Sequence, residues 1–191
     1  MNNSYPPGAG RSSFDLVDTK KVFRDLKLKK GMTFLDMACG RGEYSLAVSK
    51  IIGNTGLVYA IDLWAEGIAD LRKQVSDRKI KNIEARVVDL REGIPVKDHC
   101  IDVCLMATVL HDLVETNGAA PALKEAARVL RPEGMLAVIE FKKIEGPPGP
   151  PMRIRLTAEE VDDLSRPHGF VKRRVIDVGP YNYMMLFAVQ Q

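Results

Sequence analysis

The stretch of residues 33–46 constrains the fold of this chain more than any other part of the sequence. A run of mostly apolar residues, 32–37, ends at a short turn that contains Gly40 and Gly42, and a helical pattern of apolar residues begins at Glu43. This order predicts a strand, a tight loop and a helix. The two glycines let the backbone turn sharply, and they let a ligand approach main-chain N–H groups at the start of the helix.

Asp36, just before this loop, bears on the kind of ligand that the loop can hold. A nicotinamide dinucleotide would bring its doubly anionic pyrophosphate close to this carboxylate, and like charges at short range repel each other in a medium of low dielectric constant. A cationic ligand fits better. S-adenosylmethionine has no phosphate, carries a sulfonium, and has an α-ammonium group that a carboxylate can hold. Taken alone, the loop also fits an ordinary strand-to-helix turn with surface glycines.

The next two predicted strands also end at acidic residues. Residues 57–61 form an apolar, β-favouring run that ends at Asp62, 20 positions after Gly42. At this distance a βαβ unit places an acid that accepts hydrogen bonds from both ribose hydroxyls. The run 83–88 ends at Asp89, which could accept the adenine N6 protons while the next main-chain N–H meets a ring nitrogen. The alternatives are a helix cap for Asp62 and a turn residue for Asp89.

The fourth predicted strand, residues 101–106, leads to the candidate for acid–base chemistry, His111. In an open α/β sheet, ligands bind at the carboxyl ends of the strands. His111 could therefore act as a general base on an acceptor oxygen or nitrogen, with Asp112 or a backbone group fixing its tautomer. Glu140, at the end of the fifth predicted strand (135–139), is the second candidate base. The alternative for His111 is a helix-start residue that is hydrogen-bonded to the backbone.

Two segments are predicted to cover this edge of the sheet. Residues 1–11, rich in Pro, Gly and Ser, indicate a mobile arm or a flap over the site, with a disordered end as the alternative. Residues 145–151 are too rich in proline for a helix or a central strand. They form either a lid or wall of the acceptor pocket or a surface connector. Tyr181 and Tyr183 are further candidates for its walls.

The remaining helices and strands complete an alternating pattern. A helix over 119–130 should end at Arg131-Pro132, before the fifth strand. Thr157 and Glu160 form a capping box that opens a last helix, and a turn at 179–182 joins two final strands into a hairpin.

Length and composition favour one soluble domain over residues 1–191, of which 46% are hydrophobic. The net charge of +3 gives no argument for nucleic acid as a partner. Three cysteines, with no metal-like spacing to histidine, favour a reduced, cytoplasmic protein and no metal. No leader or membrane span is expected. The sequence leaves the oligomeric state open, and a homodimer is one option.

The motifs resemble those of one enzyme family. The string Leu-Asp-Met-Ala-Cys-Gly-Arg-Gly at 35–42 resembles the first motif of class I S-adenosylmethionine-dependent methyltransferases, with Ala38 where the family often has its first glycine. Residues 33–46, 109–113 and 139–143, followed by Gly146-Pro-Pro, resemble small bacterial and archaeal relatives of the ubiquinone and menaquinone biosynthesis C-methyltransferases. The resemblance implies an α/β, Rossmann-like doubly wound sheet of seven strands, mostly parallel with the last strand antiparallel.

With the resemblance, the sequence predicts cofactor-binding roles for Asp36, Ala38, Gly40, Gly42, Asp62, Leu63, Asp89, Leu90, Ala107 and Thr108. The implied reaction transfers a methyl group from S-adenosylmethionine to a small-molecule acceptor and leaves S-adenosylhomocysteine. No Asn-Pro-Pro-Tyr-like string follows the fourth strand, which disfavours an amide or adenine N6 acceptor.

Two other classes stay open. One is a non-catalytic S-adenosylmethionine-binding partner protein. The other is a nicotinamide-dependent oxidoreductase, against which Asp36, Asp89 and the lack of a Tyr-x-x-x-Lys pair count.

Overall fold

The computed structural model describes residues 8–190, which form one sheet covered by helices on both faces. Its strands are β1 (Thr33–Met37), β2 (Leu57–Asp62), β3 (Ile83–Val87), β4 (Ile101–Ala107), β5 (Leu130–Phe141), β6 (Phe170–Asp177) and β7 (Asn182–Val189). Its α-helices are α1 (Thr19–Asp25), α2 (Glu43–Ile52), α3 (Ala65–Asp77), α4 (Leu110–Glu115), α5 (Ala119–Val129) and α6 (Ala158–Ser165). Short 3-10 helices cover Phe14–Leu16, Met152–Ile154 and Arg166–His168.

The strand order of the sheet is β3-β2-β1-β4-β5-β7-β6. Strand β1 pairs in parallel with both β2 and β4, and β4 pairs in parallel with β5. Strand β7 is antiparallel to both of its neighbours. The predicted seven-stranded sheet with an antiparallel last strand is therefore confirmed. The order reverses between β1 and β4, and a crevice for a ligand opens at such a switch point.

Both faces of the central strands are buried, because alternate side chains of a strand point to opposite faces. On one face, Val103 and Leu105 of β4 pack in a cluster with Ile52 of α2 and Leu71 of α3. On the other face, Met106 packs in a second cluster to which α5 contributes. The near-continuous apolar runs of β1 and β4 follow from this double cover, which is typical of parallel sheets.

Strand β5 differs from the prediction at its start. The sequence predicted that a helix would end at Arg131-Pro132 and that the strand would cover 135–139. Instead, the strand begins at Leu130, whose partner in β4 is Ile101. The register shifts just beyond this pair, and residues 131–133 are exposed. Proline is tolerated at such an irregular, solvent-exposed position because no ladder hydrogen bond is lost there.

Two helix starts have side-chain caps, and the one at α6 is the predicted capping box. The Asp18 carboxylate accepts a hydrogen bond from Lys21 N at 3.0 Å at the start of α1. At α6, the Thr157 hydroxyl accepts from Glu160 N at 3.1 Å, and the Glu160 carboxylate accepts from Thr157 N at 2.7 Å. Among residues 8–190, no helix is long and apolar enough to cross a membrane.

Candidate active site

A cavity of about 610 Å³ opens at the carboxyl ends of β1, β2, β3 and β4. The loops that follow these strands supply its walls, together with residues 8–11 of the N-terminal arm. Eight of the predicted cofactor-binding residues line it: Ala38, Gly40, Asp62, Leu63, Asp89, Leu90, Ala107 and Thr108. Asp36, Gly42, His111 and Glu140 are not among the residues that line it.

The loop between β1 and α2 owes its shape to backbone conformations that favour glycine. Gly40 and Gly42 have φ of 58° and 81°, and Ala38 has φ of 61°. A Cβ on Gly40 would meet no atom within 4 Å, so the backbone here is open to a ligand. A Cβ on Gly42 would lie 2.5 Å from Cδ1 of the buried Leu71. Gly42 therefore allows α2 to pack closely on α3.

Asp62 connects the loop after β1 with the loop after β2. Its carboxylate accepts hydrogen bonds from Gly40 N and Trp64 N, both at 2.7 Å. Burial raises the pKa of this carboxyl above its usual range. Each carboxylate oxygen has two acceptor positions, so acceptor capacity remains for a ligand in the cavity. The carboxylate thus holds the loop in place and still presents an acceptor to the cavity.

Asp36 is almost fully buried and does not reach the cavity wall. Its carboxylate accepts a hydrogen bond from the Ser45 hydroxyl at 2.6 Å. Burial raises the pKa of this carboxyl to about 7, and the charges of Asp62 and Glu43 act in the same direction. The Asp36 side chain therefore lies behind the cavity wall, and its cofactor-binding role stays a prediction.

Asp89 is held by a neighbour that the sequence analysis did not consider. Arg91 donates from Nε to Oδ1 at 2.9 Å and from Nη2 to Oδ2 at 2.6 Å, and its main-chain N–H also bonds Oδ1. The hydrogen bond to Arg91 lowers the pKa of Asp89. The residue lies in the wall where adenine was predicted, but much of its acceptor capacity is already used.

The two candidate bases, His111 and Glu140, contact each other. The Glu140 carboxylate accepts from His111 Nδ1 at 2.8 Å, from His111 N at 3.1 Å and from Phe141 N at 3.2 Å. Both side chains are buried. Glu140 therefore fixes the orientation of the imidazole, which leaves His111 Nε2 facing Asp112 Oδ2 at 3.6 Å. Asp112 itself lines the cavity.

The described part of the N-terminal arm lies over the cavity. Residues 8–11 line it, and a Cβ on Gly8 would lie 3.0 Å from the Asp112 carboxylate. A Cβ on Gly10 would lie 3.6 Å from the Trp64 ring. This is the placement that the flap interpretation requires. Residues 1–7 of the predicted arm lie outside the described residues.

The proline-rich loop, residues 145–151, does not line the cavity. Instead it surrounds the buried guanidinium of Arg155, which donates to the main-chain carbonyls of Gly146, Pro148 and Pro150. Tyr181 and Tyr183 are not lining residues either, and the Tyr183 hydroxyl donates to the carbonyl oxygen of Leu156 at 2.7 Å. The loop and these tyrosines are therefore seen in structural contacts only.

Trp64 and Asp112 line the cavity, although the sequence analysis gave neither a site role of its own. Trp64 is the single tryptophan of the chain and follows Asp62 by two positions, a signal that was available. The guanidinium of Arg41 lies over its ring at 5.2 Å. Asp112 was considered only as a neighbour of His111, and the sequence alone does not tell which of the two faces the cavity.

Comparison with known proteins agrees with this geometry. Residues 28–166 match the model of the family described as methyltransferase domain. A demethylmenaquinone methyltransferase from Staphylococcus aureus strain MRSA252 is 33% identical over 121 residues, which are 63% of this chain and 48% of the relative. The chain thus spans about half the length of the curated relatives that it matches.

Solved structures extend the similarity to nearly the full chain. The crystal structure of a SAM-dependent methyltransferase from Aquifex aeolicus has a TM-score of 0.84 and 33% identity, and the match covers 96% of this chain and 93% of that chain. The cyclase SpnF has a TM-score of 0.75 at 20% identity, with 90% and 79% covered. The second likeness shows the fold alone.

Proposed function

Because this chain belongs to the methyltransferase domain family, we propose that it transfers the methyl group of S-adenosylmethionine to a small-molecule acceptor and leaves S-adenosylhomocysteine. The cofactor follows from the family and from the Aquifex aeolicus relative, whose match covers both chains almost completely. The acceptor and the reaction of this chain are proposals, since the curated relatives are about twice as long as the part matched.

The balance of charge in the cavity is the observation that carries this proposal. Three buried or half-buried carboxylates line it, those of Asp62, Asp89 and Asp112, whereas its other charged groups, the carboxylate of Glu66 and the guanidinium groups of Arg11 and Arg91, are exposed and screened by water and salt. An excess of acid attracts a ligand that carries a sulfonium and an ammonium, and it repels a pyrophosphate. The residues present therefore fit S-adenosylmethionine better than a nicotinamide dinucleotide.

The residues of the loops supply the binding contacts of this proposal. The Asp62 carboxylate has acceptor capacity for the ribose hydroxyls, and the open backbone at Gly40 admits the ligand. Leu63, Leu90 and Ala107 give apolar surface to the wall. Asp36 and Gly42 act from outside the wall, Asp36 as a buried acid and Gly42 as a packing contact.

The bound cofactor supplies an electrophilic methyl group on a sulfonium. Most of what the protein adds is alignment of the two reactants and exclusion of water, and a base is needed only for a protonated nucleophile. In this proposal the arm residues 8–11, which line the cavity, shield the bound reactants from water. His111, held by Glu140, lies next to Asp112 at the cavity wall and can hold a proton there.

The acceptor in this proposal is a small aromatic molecule. Val109 and Leu113 give the cavity apolar walls beside Asp112, and the curated relatives are named for the methylation of demethylmenaquinone. We extend the proposal to a quinol-like acceptor on that basis. Nucleic acid is not expected as a partner, because the net charge of the chain is only +3.

A methyl-transfer assay tests the proposal. The protein is incubated with methyl-labelled S-adenosylmethionine and a panel of acceptors: 1,4-naphthoquinol, catechol, a primary amine and a thiol. We expect labelled product with at least one aromatic hydroxyl compound, and its loss in Asp62→Ala but not in Glu66→Gln, which changes an exposed acid of the same wall. Binding of S-adenosylmethionine without any labelled product would instead indicate a non-catalytic partner protein.

A further inference from the structure

Asp112 lines the cavity, whereas His111, the candidate base predicted from the sequence, does not. The Asp112 side chain is 19% exposed and lines the cavity, whereas that of His111 is 4% exposed and is not a lining residue. An acceptor in the cavity therefore reaches the Asp112 carboxylate before it reaches the imidazole. His111 Nε2 lies 3.6 Å behind that carboxylate.

The orientation of His111 is fixed from its far side. Glu140 also accepts hydrogen bonds from the main-chain N–H groups of His111 and Phe141, so its oxygens act as acceptors and His111 Nδ1 is the donor. The ring also packs edge-on against Phe141, with centroids 6.3 Å apart. Nε2 is thereby left as the nitrogen that can exchange a proton with Asp112.

Asp112 is also the half-buried carboxylate of the wall that is paired with His111 Nε2 at 3.6 Å but is not held by a hydrogen bond. Asp62 is bonded to two main-chain N–H groups and Asp89 to Arg91, while Glu66 is exposed. Within residues 8–190 the Asp112 carboxylate accepts no hydrogen bond. A carboxylate in this state is ready to accept a hydrogen bond from a ligand.

The groups packed around Asp112 and His111 raise the pKa of both residues. Burial raises the pKa of Asp112, as do the charges of Glu140 and Glu115, while those of His111 and Arg11 lower it. Burial and the charge of Arg155 would lower the pKa of His111. The hydrogen bond to Glu140 and the charges of Glu140 and Asp112 outweigh these effects, so the pKa of His111 is raised. Asp112 therefore holds a proton more readily than an ordinary carboxyl group, and the imidazole of His111 stays protonated to a higher pH than an ordinary imidazole.

We propose that Asp112 is the catalytic base that contacts the acceptor, that His111 and Glu140 are positioning residues behind it, and that the acceptor is an uncharged molecule with an O–H or N–H group. This inference rests on the proposed function. With a hydroxyl acceptor, the O–H bond breaks, its proton moves to an oxygen of Asp112, and the electron pair left on the oxygen forms the new bond to the methyl carbon. With an amine, the lone pair of the nitrogen forms that bond, and an N–H proton then moves to Asp112. In both cases the electron pair of the broken carbon–sulfur bond stays on sulfur.

The acceptor class follows from the charge at this end of the cavity. The Asp112 carboxylate faces the cavity and the imidazole of His111 lies behind it, so a carboxylate or phosphate on the acceptor would meet the carboxylate first and be repelled, whereas an uncharged hydroxyl or amine can donate to Asp112. A proton-transfer residue typically contributes about 10²-fold to 10⁴-fold in rate. Removal of the Asp112 charge should therefore affect turnover far more than cofactor affinity.

The test compares Asp112→Asn with Glu115→Gln, an exposed acid on the same helix that does not line the cavity. With the acceptor that the wild type methylates best, we expect Asp112→Asn to lower kcat by about 100-fold or more, with the Kd for S-adenosylmethionine changed by less than about three-fold. Glu115→Gln should keep kcat close to that of the wild type and should move the acidic limb of the pH profile slightly to lower pH, because the charge of Glu115 raises the pKa of Asp112. The kcat of His111→Gln should fall less than that of Asp112→Asn. The acidic limb of its pH profile should move to higher pH, because the substitution removes the charge of His111 that lowers the pKa of Asp112.

Two kinetic results would overturn the inference: an Asp112→Asn enzyme that keeps more than about a third of wild-type kcat, or a larger loss of kcat in His111→Gln, which would make the imidazole the base.

A second readout needs no acceptor. The carboxyl carbon of Asp112, followed by NMR across pH in the full chain, should titrate at higher pH in His111→Gln than in wild type. An unchanged titration would refute the coupling. Absence of turnover in the wild type with every acceptor would contradict the proposed function instead, and the NMR result would still decide whether Asp112 and His111 are coupled.

Discussion

Replacement of Gly42 by alanine tests the packing of the loop after β1 on α3. The new Cβ would lie 2.5 Å and 2.7 Å from the two methyl carbons of Leu71 and 3.0 Å from its Cγ. Leu71 is fully buried, so its side chain has little room to move away. In addition, the residue has φ of 81°, a conformation that alanine adopts only at a cost.

The expected loss has two parts. The left-handed conformation costs about 1–2 kcal/mol for a residue with a Cβ, and overpacking of a core position costs about 1–3 kcal/mol. Gly42→Ala should therefore lower the free energy of unfolding by about 2–5 kcal/mol. Gly40→Ala is the matched control, because its φ is also positive but nothing lies within 4 Å of the new Cβ. The free energy of unfolding of Gly40→Ala should fall only by the cost of the left-handed conformation, about 1–2 kcal/mol.

Urea unfolding of the two variants measures this difference, and Leu71→Ala completes a double-mutant cycle. In the Leu71→Ala background the clash is absent, so Gly42→Ala should cost about 1–3 kcal/mol less than it does in wild type. The packing argument is wrong if Gly42→Ala and Gly40→Ala lower the free energy of unfolding equally. It is also wrong if Gly42→Ala costs as much in the Leu71→Ala background as in wild type.

Two other substitutions test buried charges. Burial raises the pKa of Asp36 to about 7, so the folded protein keeps a proton that the unfolded chain releases near pH 4. As the pH rises between these two values, the free energy of unfolding should therefore fall by about 1.4 kcal/mol per pH unit. Asp36→Asn should remove this slope in urea unfolding at pH 5, 6 and 7, and an unchanged slope would refute the assignment. Arg155→Met removes the guanidinium that donates to five main-chain carbonyls of residues 142–150, of which only that of Lys142 keeps another donor, Ile144 N. It should cost about 3–5 kcal/mol in thermal unfolding, with faster hydrogen exchange in that loop. Arg153→Met, which removes an exposed ion pair, should cost less than about 1 kcal/mol, and equal losses would contradict the role given to Arg155.

The sequence predicted most of the fold because its signals are local. Helix α2 begins at Glu43, where the apolar period indicated a helix start, and the capping box at Thr157 is present. The start of β5 was missed because it depends on a contact between Leu130 and Ile101 of a neighbouring strand. Helix α4 has six residues and is too short to show a clear helical period.

The sequence predicted where the site lies better than it predicted how its residues are arranged. Acidic residues at strand ends identified the wall at Asp62 and Asp89, since parallel strands end at one edge of the sheet. The contact between His111 and Glu140 joins residues 29 positions apart, so both appeared as separate bases. The Arg91 contact with Asp89 is only two positions away, and a local reading of charge could have found it.

The central claim is that the cavity binds S-adenosylmethionine through Asp62. A thermal-shift comparison of wild type, Asp62→Ala and the control Glu66→Ala, each with S-adenosylmethionine, S-adenosylhomocysteine, NAD and NADP, tests it most directly. A ligand at a hundred times its Kd stabilises by about 2.7 kcal/mol, or about 5–10 °C for a chain of this size. We predict that the sulfonium cofactor and its product give this shift in wild type and in Glu66→Ala but not in Asp62→Ala. A shift with NAD or NADP alone would contradict the account, and hydride transfer would then be the reaction to test.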